Sequence, residues 1–284
     1  MKNIEFSIIT PCYNAEKYIK ETIESVFKNV YNLEKKYLIE YIICDGGSTD
    51  KTLEVIKKTF EKVKNKRILL KIISEKDFGM YDALAKGLKI ASGKICSYIN
   101  AGDFYSPTAL NIVNTIFNDF DVKWITGLQV IYNEQSHLIS CTQPFKYRKK
   151  LIECGAYGRF LNYIQQESTF WHSDLNKLLN LQKLKENKLA GDFYLWKTFS
   201  QKSELVIVNA YLGGFRIHPG QLSSDMKSYH KEMQKIARKI NFKDYLLIII
   251  DKLIQHFPSK IKNKLCKKQL IYYHLKHLKY KIRK

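Results

Sequence analysis

The chain is short of acid. Its 284 residues hold 27 Asp and Glu against 48 Lys and Arg, a formal net charge of +21. No apolar run is longer than "YLLIII" at 245–250, far below the roughly 20 residues that a membrane-crossing helix needs. The six cysteines, Cys12, Cys44, Cys96, Cys141, Cys154 and Cys266, form no C-x-x-C pair and no zinc-type spacing. That excludes a zinc ribbon or a dithiol redox motif and predicts reduced thiols in a cytosolic setting, with three of the six in apolar strand-like core runs. No G-x-G-x-x-G follows the first apolar run and no Walker glycine-lysine loop occurs, so dinucleotide redox and P-loop chemistry lose their main support. The opening "MKNIEFSIITPCYN" lacks the apolar stretch of a signal peptide.

What is present describes a globular protein, with 45% apolar and 26% charged residues in a length that suits one large domain or a domain with an appendage. The charge is unevenly spread. Residues 226–284 carry 17 Lys and Arg against 3 Asp and Glu, so +14 of the +21 sits in the last 59 positions.

Strand and helix patterns alternate through the first hundred residues. "IEFSIIT" (4–10) reads as a strand stopped by Pro11, and apolar residues recur at helical spacing from Tyr18 to Val30. A strand at 37–44, a helix capped by Thr49 or Asp50, a strand at 68–74, a helix closed by Gly93 and a strand at 94–100 follow. This alternation predicts an α/β fold with a parallel sheet flanked by helices. Ligands of such sheets bind at the carboxyl ends of the strands. Here those ends read "TPCYN", "CDGGSTD", "SEKDFG" and "NAGD", three of them with an aspartate. Further on, a helix over 106–120, a strand over 124–132, a helix opening at Asp192 and a strand from 204 are predicted, and the tail from 226 reads as helical.

Each rim acid alone is an ordinary loop residue, but the set invites a metal-and-nucleotide reading. A divalent cation takes one or two carboxylates with phosphate oxygens, and neutralises a diphosphate leaving group. Asp103 is placed for that role, and Gly102 lets backbone approach phosphates closely.

Six blocks, "SIITPCYNAEKYIKETIESV", "IICDGGSTDKT", "SEKDFGMYDALAKGLKIASGKICSYINAGD", "QQESTFWHSDL", "LAGDFYLWKTF" and "LGGFRIHPGQLS", resemble in order the inverting family 2 glycosyltransferases of GT-A fold, the nucleotide-diphospho-sugar transferase fold. The resemblance spans about 4–224. It implies a glycosyltransferase domain at 1–224, with a nucleotide-binding half (1–103) and an acceptor-side half (104–224), followed by a basic helical extension at 225–284.

By position, the resemblance implies that Pro11, Tyr13 and Asn14 line the nucleotide base. Asp45 accepts a hydrogen bond from the uracil imide, and Asp77 lies near the nucleoside. Asn100 to Asp103 match the metal segment, with Asn100 and Gly102 where acids are frequent, leaving Asp103 to hold Mn or Mg. Gly46 replaces a second acid found in many relatives. Asp192 matches the general base, although Asp at the start of a helix also reads as an N-cap. His218 matches a late histidine near metal and diphosphate, with Arg216 in support, or is a surface residue. Gln166, Glu167 and Trp171 match the acceptor side, with one of Phe170 and Trp171 expected in the core. Lys86 is expected to be solvated.

The tail "KIKNKLCKKQLIYYHLKHLKYKIRK" fits a solvated helix, a nucleic-acid stripe or an amphipathic helix on an anionic leaflet, where each Lys contributes about 1 kcal/mol. The upstream motifs favour the membrane, and no nucleic acid is expected. The implied reaction is inverting, metal-assisted transfer of a sugar from a UDP-linked donor to a lipid-linked or cell-surface glycan acceptor. Its implied place is the inner face of the bacterial cell membrane. Rival readings are a nucleotide-binding protein of this fold with weak catalysis, a nucleotidyltransferase, and a basic nucleic-acid-binding protein.

Overall fold

The computed structural model describes residues 4–63, 65–266 and 268–283. Lys267 and Lys284 of the basic tail and Met1 to Asn3 of the opening stretch lie outside them. In the first part, β1 (Ile4–Cys12), α1 (Ile19–Asn32), β2 (Leu38–Asp45), α2 (Thr52–Val63), β3 (Ile68–Ser74), α3 (Met80–Ile90) and β4 (Ile95–Tyr98) alternate. There follow β5 (Phe104–Tyr105), α4 (Ala109–Asp119), β6 (Trp124–Thr126), β7 (Gln129–Tyr132), β8 (Leu138–Thr142), α5 (Lys149–Glu153), β9 (Thr169–His172), α6 (Leu181–Lys185) and α7 (Gly191–Ser200). The chain ends with β10 (Val206–Val208), β11 (Gly213–Arg216), α8 (Met226–Ile236), α9 (Phe242–Gln255), α10 (Ser259–Leu265), β12 (Leu270–His274) and β13 (Lys279–Ile282).

Among the described residues the main sheet runs β13-β12-β10-β6-β9-β4-β1-β2-β3, and a smaller one runs β5-β11-β7-β8. β1 pairs in parallel with β2 and β4, whereas β9 is antiparallel to both β4 and β6. Because helices cover both faces, β1 and β2 are buried almost end to end, which is why they read as continuous apolar runs. Alternate residues feed two cores. Ile9, Ile42 and Tyr98 face α3, α5 and α7 with Trp124, Trp171 and Phe199, while Phe6, Ile8 and Tyr41 face α1, α2 and α4.

Three expectations change. Strand β1 does not stop at Pro11 but runs on to Cys12: β4 pairs with β1 only through Ile9, so the missing N–H of Pro11 costs no rung on that side. The single strand expected over 124–132 is two, β6 in the main sheet and β7 in the small one. The extension expected to be helical is helical only to Leu265. Beyond it, Leu270 and Ile271 are buried as β12 pairs in parallel with β10, and the alternating "KYKI" of β13 returns beside it with Leu278 in a left-handed turn. Burying Leu270 in one core and Ile271 in the other outweighs the helix periodicity that the Lys spacing suggests.

Candidate active site

The parallel strands β1, β2, β3 and β4 bring four loops to one rim. After β1, Tyr13 is exposed and Asn14 adopts a φ of 46°, a left-handed conformation that Asn tolerates. Its side-chain oxygen accepts from the Thr49 N–H at 2.9 Å and its own N–H donates to Ser48 Oγ at 2.8 Å, which staples the first loop to the second. Asp45, at the end of β2, is buried, and its oxygens accept from the hydroxyls of Ser48 and of Ser74 (2.7 Å). Asp77 accepts from Gly79 N–H at 2.8 Å, and burial raises its pKa. A Cβ on Gly46 would stand 2.6 Å from Asp77 Oδ2, so the third-strand acid occupies the space that a second acid at 46 would need.

The rim beyond β4 gathers more than its own loop. Asn100 Nδ2 donates to Gln166 Oε1 at 3.2 Å, while Asn100 Oδ1 is buried without a partner. Gly102 has a φ of 121°, and a Cβ there would lie 3.4 Å from His218 Nε2. Asp103 is buried; its Oδ1 accepts from Arg216 N–H at 2.9 Å, and its carboxyl neighbours that of Glu167. Burial raises both carboxyls above the ordinary carboxylate range, and the neighbouring Glu167 raises Asp103 further. His218 Nδ1 lies 2.9 Å from the Pro219 carbonyl, to which it can only donate, so in the neutral imidazole Nε2, on the Gly102 side, is the nitrogen with the free lone pair. Arg216 reaches Glu21 with Nη2 and keeps a buried Nε without a partner.

These donors fit a hard divalent cation: a carboxyl pair, an unpartnered amide oxygen and an imidazole nitrogen. Among the described residues no three His, Cys, Asp or Glu side chains already form a cage, so phosphate or water would have to complete the shell.

Asp192 stands at the second position of α7, not at its N-cap, which is Ala190. That end of the helix is closed instead by Glu232 of α8, which accepts from the N–H groups of Lys188 (2.9 Å) and Ala190 (3.1 Å). Relieved of capping, the Asp192 carboxylate accepts from Phe193 N–H at 2.7 Å and from Tyr229 O–H at 3.1 and 3.2 Å. Burial lifts its pKa to about 6 against the downward pull of these donors and of Tyr81. It faces a small cleft with Ile152, Tyr163, Ile164, Trp196 and Tyr229, and its charge is felt at Glu167.

Gln166 and Glu167 stand at the β4 rim, Gln166 bonded to the Tyr98 carbonyl and to Asn100, Glu167 beside Asp103. Two placements differ from expectation. Trp171 and Phe170 are both fully buried on β9, so neither offers a face to a sugar. Lys86 is not solvated but pairs with Glu75 at 2.9 Å and Asp82 at 3.6 Å. Tyr229 and Glu232 were not foreseen, because "SYHKEMQKIARK" reads as a solvated basic helix with no motif in it.

The family model for glycosyl transferase family 2 matches residues 7–179. An uncharacterized glycosyltransferase of Haemophilus influenzae is 28% identical over 242 residues, 82% of this chain and 71% of that protein. The Escherichia coli UDP-Glc:alpha-D-GlcNAc-diphosphoundecaprenol beta-1,3-glucosyltransferase WfaP is 26% identical over 260 residues, 88% of this chain and 94% of its own. Among solved structures, S. aureus TarS 1-349 in complex with UDP-GlcNAc superposes with a TM-score of 0.58 at 14% identity, covering 92% of this chain and 70% of that one. The mannosyltransferase PcManGT from Pyrobaculum calidifontis, in complex with GDP-Man and Mn2+, gives 0.55 at 12% identity over 91% and 71%. The match of the family model over more than half of the chain, on a fold shared with these enzymes, shows that this protein belongs to glycosyl transferase family 2 and has the GT-A fold.

Proposed function

We propose that this glycosyltransferase moves a hexose from a UDP-linked donor to a hydroxyl of a lipid-linked or cell-surface glycan, with inversion, at the cytoplasmic face of the membrane. One observation carries the mechanism: a carboxylate with a pKa near 6, that of Asp192, held by Tyr229 in a cleft and electrostatically linked to the Asp103 rim. A base of that pKa is ionised at neutral pH yet strong enough to take the acceptor proton as its oxygen attacks. Attack from the Asp192 side, opposite the departing diphosphate, inverts the anomeric centre. Pro11, Tyr13, Asn14, Asp45 and Asp77 line the nucleoside end. Asp103, with Glu167, His218 and the unpartnered Asn100 Oδ1, would hold Mn2+ or Mg2+, which neutralises the diphosphate charge. Support for the donor and acceptor comes from the UDP-GlcNAc complex of TarS, the diphosphoundecaprenol acceptor in the name of WfaP, and the Mn2+ in PcManGT.

The test is release of nucleoside diphosphate from a panel of UDP-, GDP- and dTDP-sugars with manganese. Turnover of a UDP-sugar that is lost in Asp103→Ala and Asp192→Ala supports the reading; absence of both turnover and UDP binding by calorimetry overturns it.

A further inference from the structure

We infer that the outward face of helix α9 docks on the surface of an anionic phospholipid bilayer. At about 100° per residue, Phe242, Leu246, Ile249 and Leu253 fall within an arc of roughly 60°. All four are 51 to 83% exposed. Lys243 and Lys252 flank that arc, about 90° to either side of its centre, and both are exposed.

The opposite face explains the orientation. Asp244, Ile248 and Asp251 point inward and are buried. Arg238 grips Asp244 at 2.9 and 3.0 Å, and Arg148 grips Asp251 at 2.8 Å with both nitrogens. These are the only two acids between positions 238 and 283, so every exposed formal charge in that stretch is positive. The helix has therefore turned its acids inward and neutralised them, leaving apolar side chains between lysines on the outside.

Such sorting selects the occupant. A second copy laid face to face would oppose Lys with Lys, and a nucleic acid would leave the apolar arc in water. An anionic bilayer takes both, with lysines at the headgroups and apolar side chains at the acyl boundary. The helix spans 14 residues, and among the described residues no helix is long and apolar enough to cross a membrane, so it lies in the interface plane. Ile248 packs in the same core as Ile152, which lines the Asp192 cleft, so docking would hold that cleft close to the bilayer. The inference needs no assumption about the reaction, because it rests on α9 alone.

The full chain is sedimented with vesicles of phosphatidylcholine, with and without phosphatidylglycerol. Binding to the anionic vesicles is expected, weakened about tenfold or more in Leu246→Asp/Ile249→Asp and reduced by Lys243→Glu/Lys252→Glu. All four side chains are exposed, so melting temperature and UDP affinity should not change, and UDP binding reports separately on the sugar-transfer reading. Wild-type protein that stays with the supernatant, or a double Asp variant that binds undiminished, overturns the proposal. So does a dimer, seen by light scattering, that the same variant abolishes without any vesicle binding.

Discussion

Asp192 gathers most of the testable chemistry into one side chain. Replacement by Asn removes the base without changing shape, and kcat should fall by about 10²- to 10⁴-fold while UDP affinity holds; activity within threefold of wild type refutes the role. Because burial raises this carboxyl to about 6, the active ionised form appears above that value. The pH profile of kcat/KM should therefore rise through about 6 and level off on the alkaline side. Tyr229 donates to both carboxylate oxygens and favours the ionised form, so Tyr229→Phe should move the midpoint upward, by roughly one unit. An unmoved midpoint would show that Tyr229 only packs. The raised carboxyls of Asp103 and Glu167 make a further case. A metal binds the ionised form, so Mn2+ binding there should release protons, the binding heat should depend on the ionisation enthalpy of the buffer and affinity should rise with pH; buffer-independent heat counts against a metal at this pair. Trp171 behaves differently: being fully buried, Trp171→Ala should cost about 3–5 kcal/mol in chemical denaturation, with no selective effect on acceptor KM.

Helices and strands with strong local patterns were legible in advance. Elements β1 to β4 and α1 to α3 follow the expected order because an apolar face with period 2 or 3.6 is a property of neighbours in sequence. The failures occur where a distant partner decides. The split of 124–132 into β6 and β7 depends on which sheet each half joins, and the N-cap of α7 depends on Glu232, some 40 positions away. Helix α9 shows the same dependence at Asp251, which is buried because Arg148, 103 positions away, reaches it. Removing one partner of the Arg148–Asp251 pair leaves a buried charge, so Arg148→Met should destabilise the fold by about 3 kcal/mol. A melting temperature equal to wild type would place that pair among the idle ones.

Across the whole molecule, the segment after 224 is built into the sheet and the site. It supplies β12 to the edge of β10, Tyr229 to Asp192 and Glu232 to the start of α7. A fragment ending at residue 224 should accordingly be insoluble or lack a cooperative melt, since it exposes the edge of β10 and the apolar surface that Met233, Ile248 and Ile271 cover. A soluble, cooperatively folding fragment would refute this.

By itself, the order of residues determined the alternating α/β half, its polar rim, the membership of that rim through Asn100, Gly102 and Asp103, and the place of Asp192 in the opening turn of an apolar helix. Those features are local: side-chain periodicity and turn residues act over a few positions. Tertiary structure alone decided that Glu167 lies beside Asp103, that Trp171 is core, that Asp192 is held by Tyr229, and that Asp251 of α9 turns inward onto Arg148. Each of these depends on contacts between residues far apart in sequence. Burial, which sets both pKa and exposure, exists only once those contacts close.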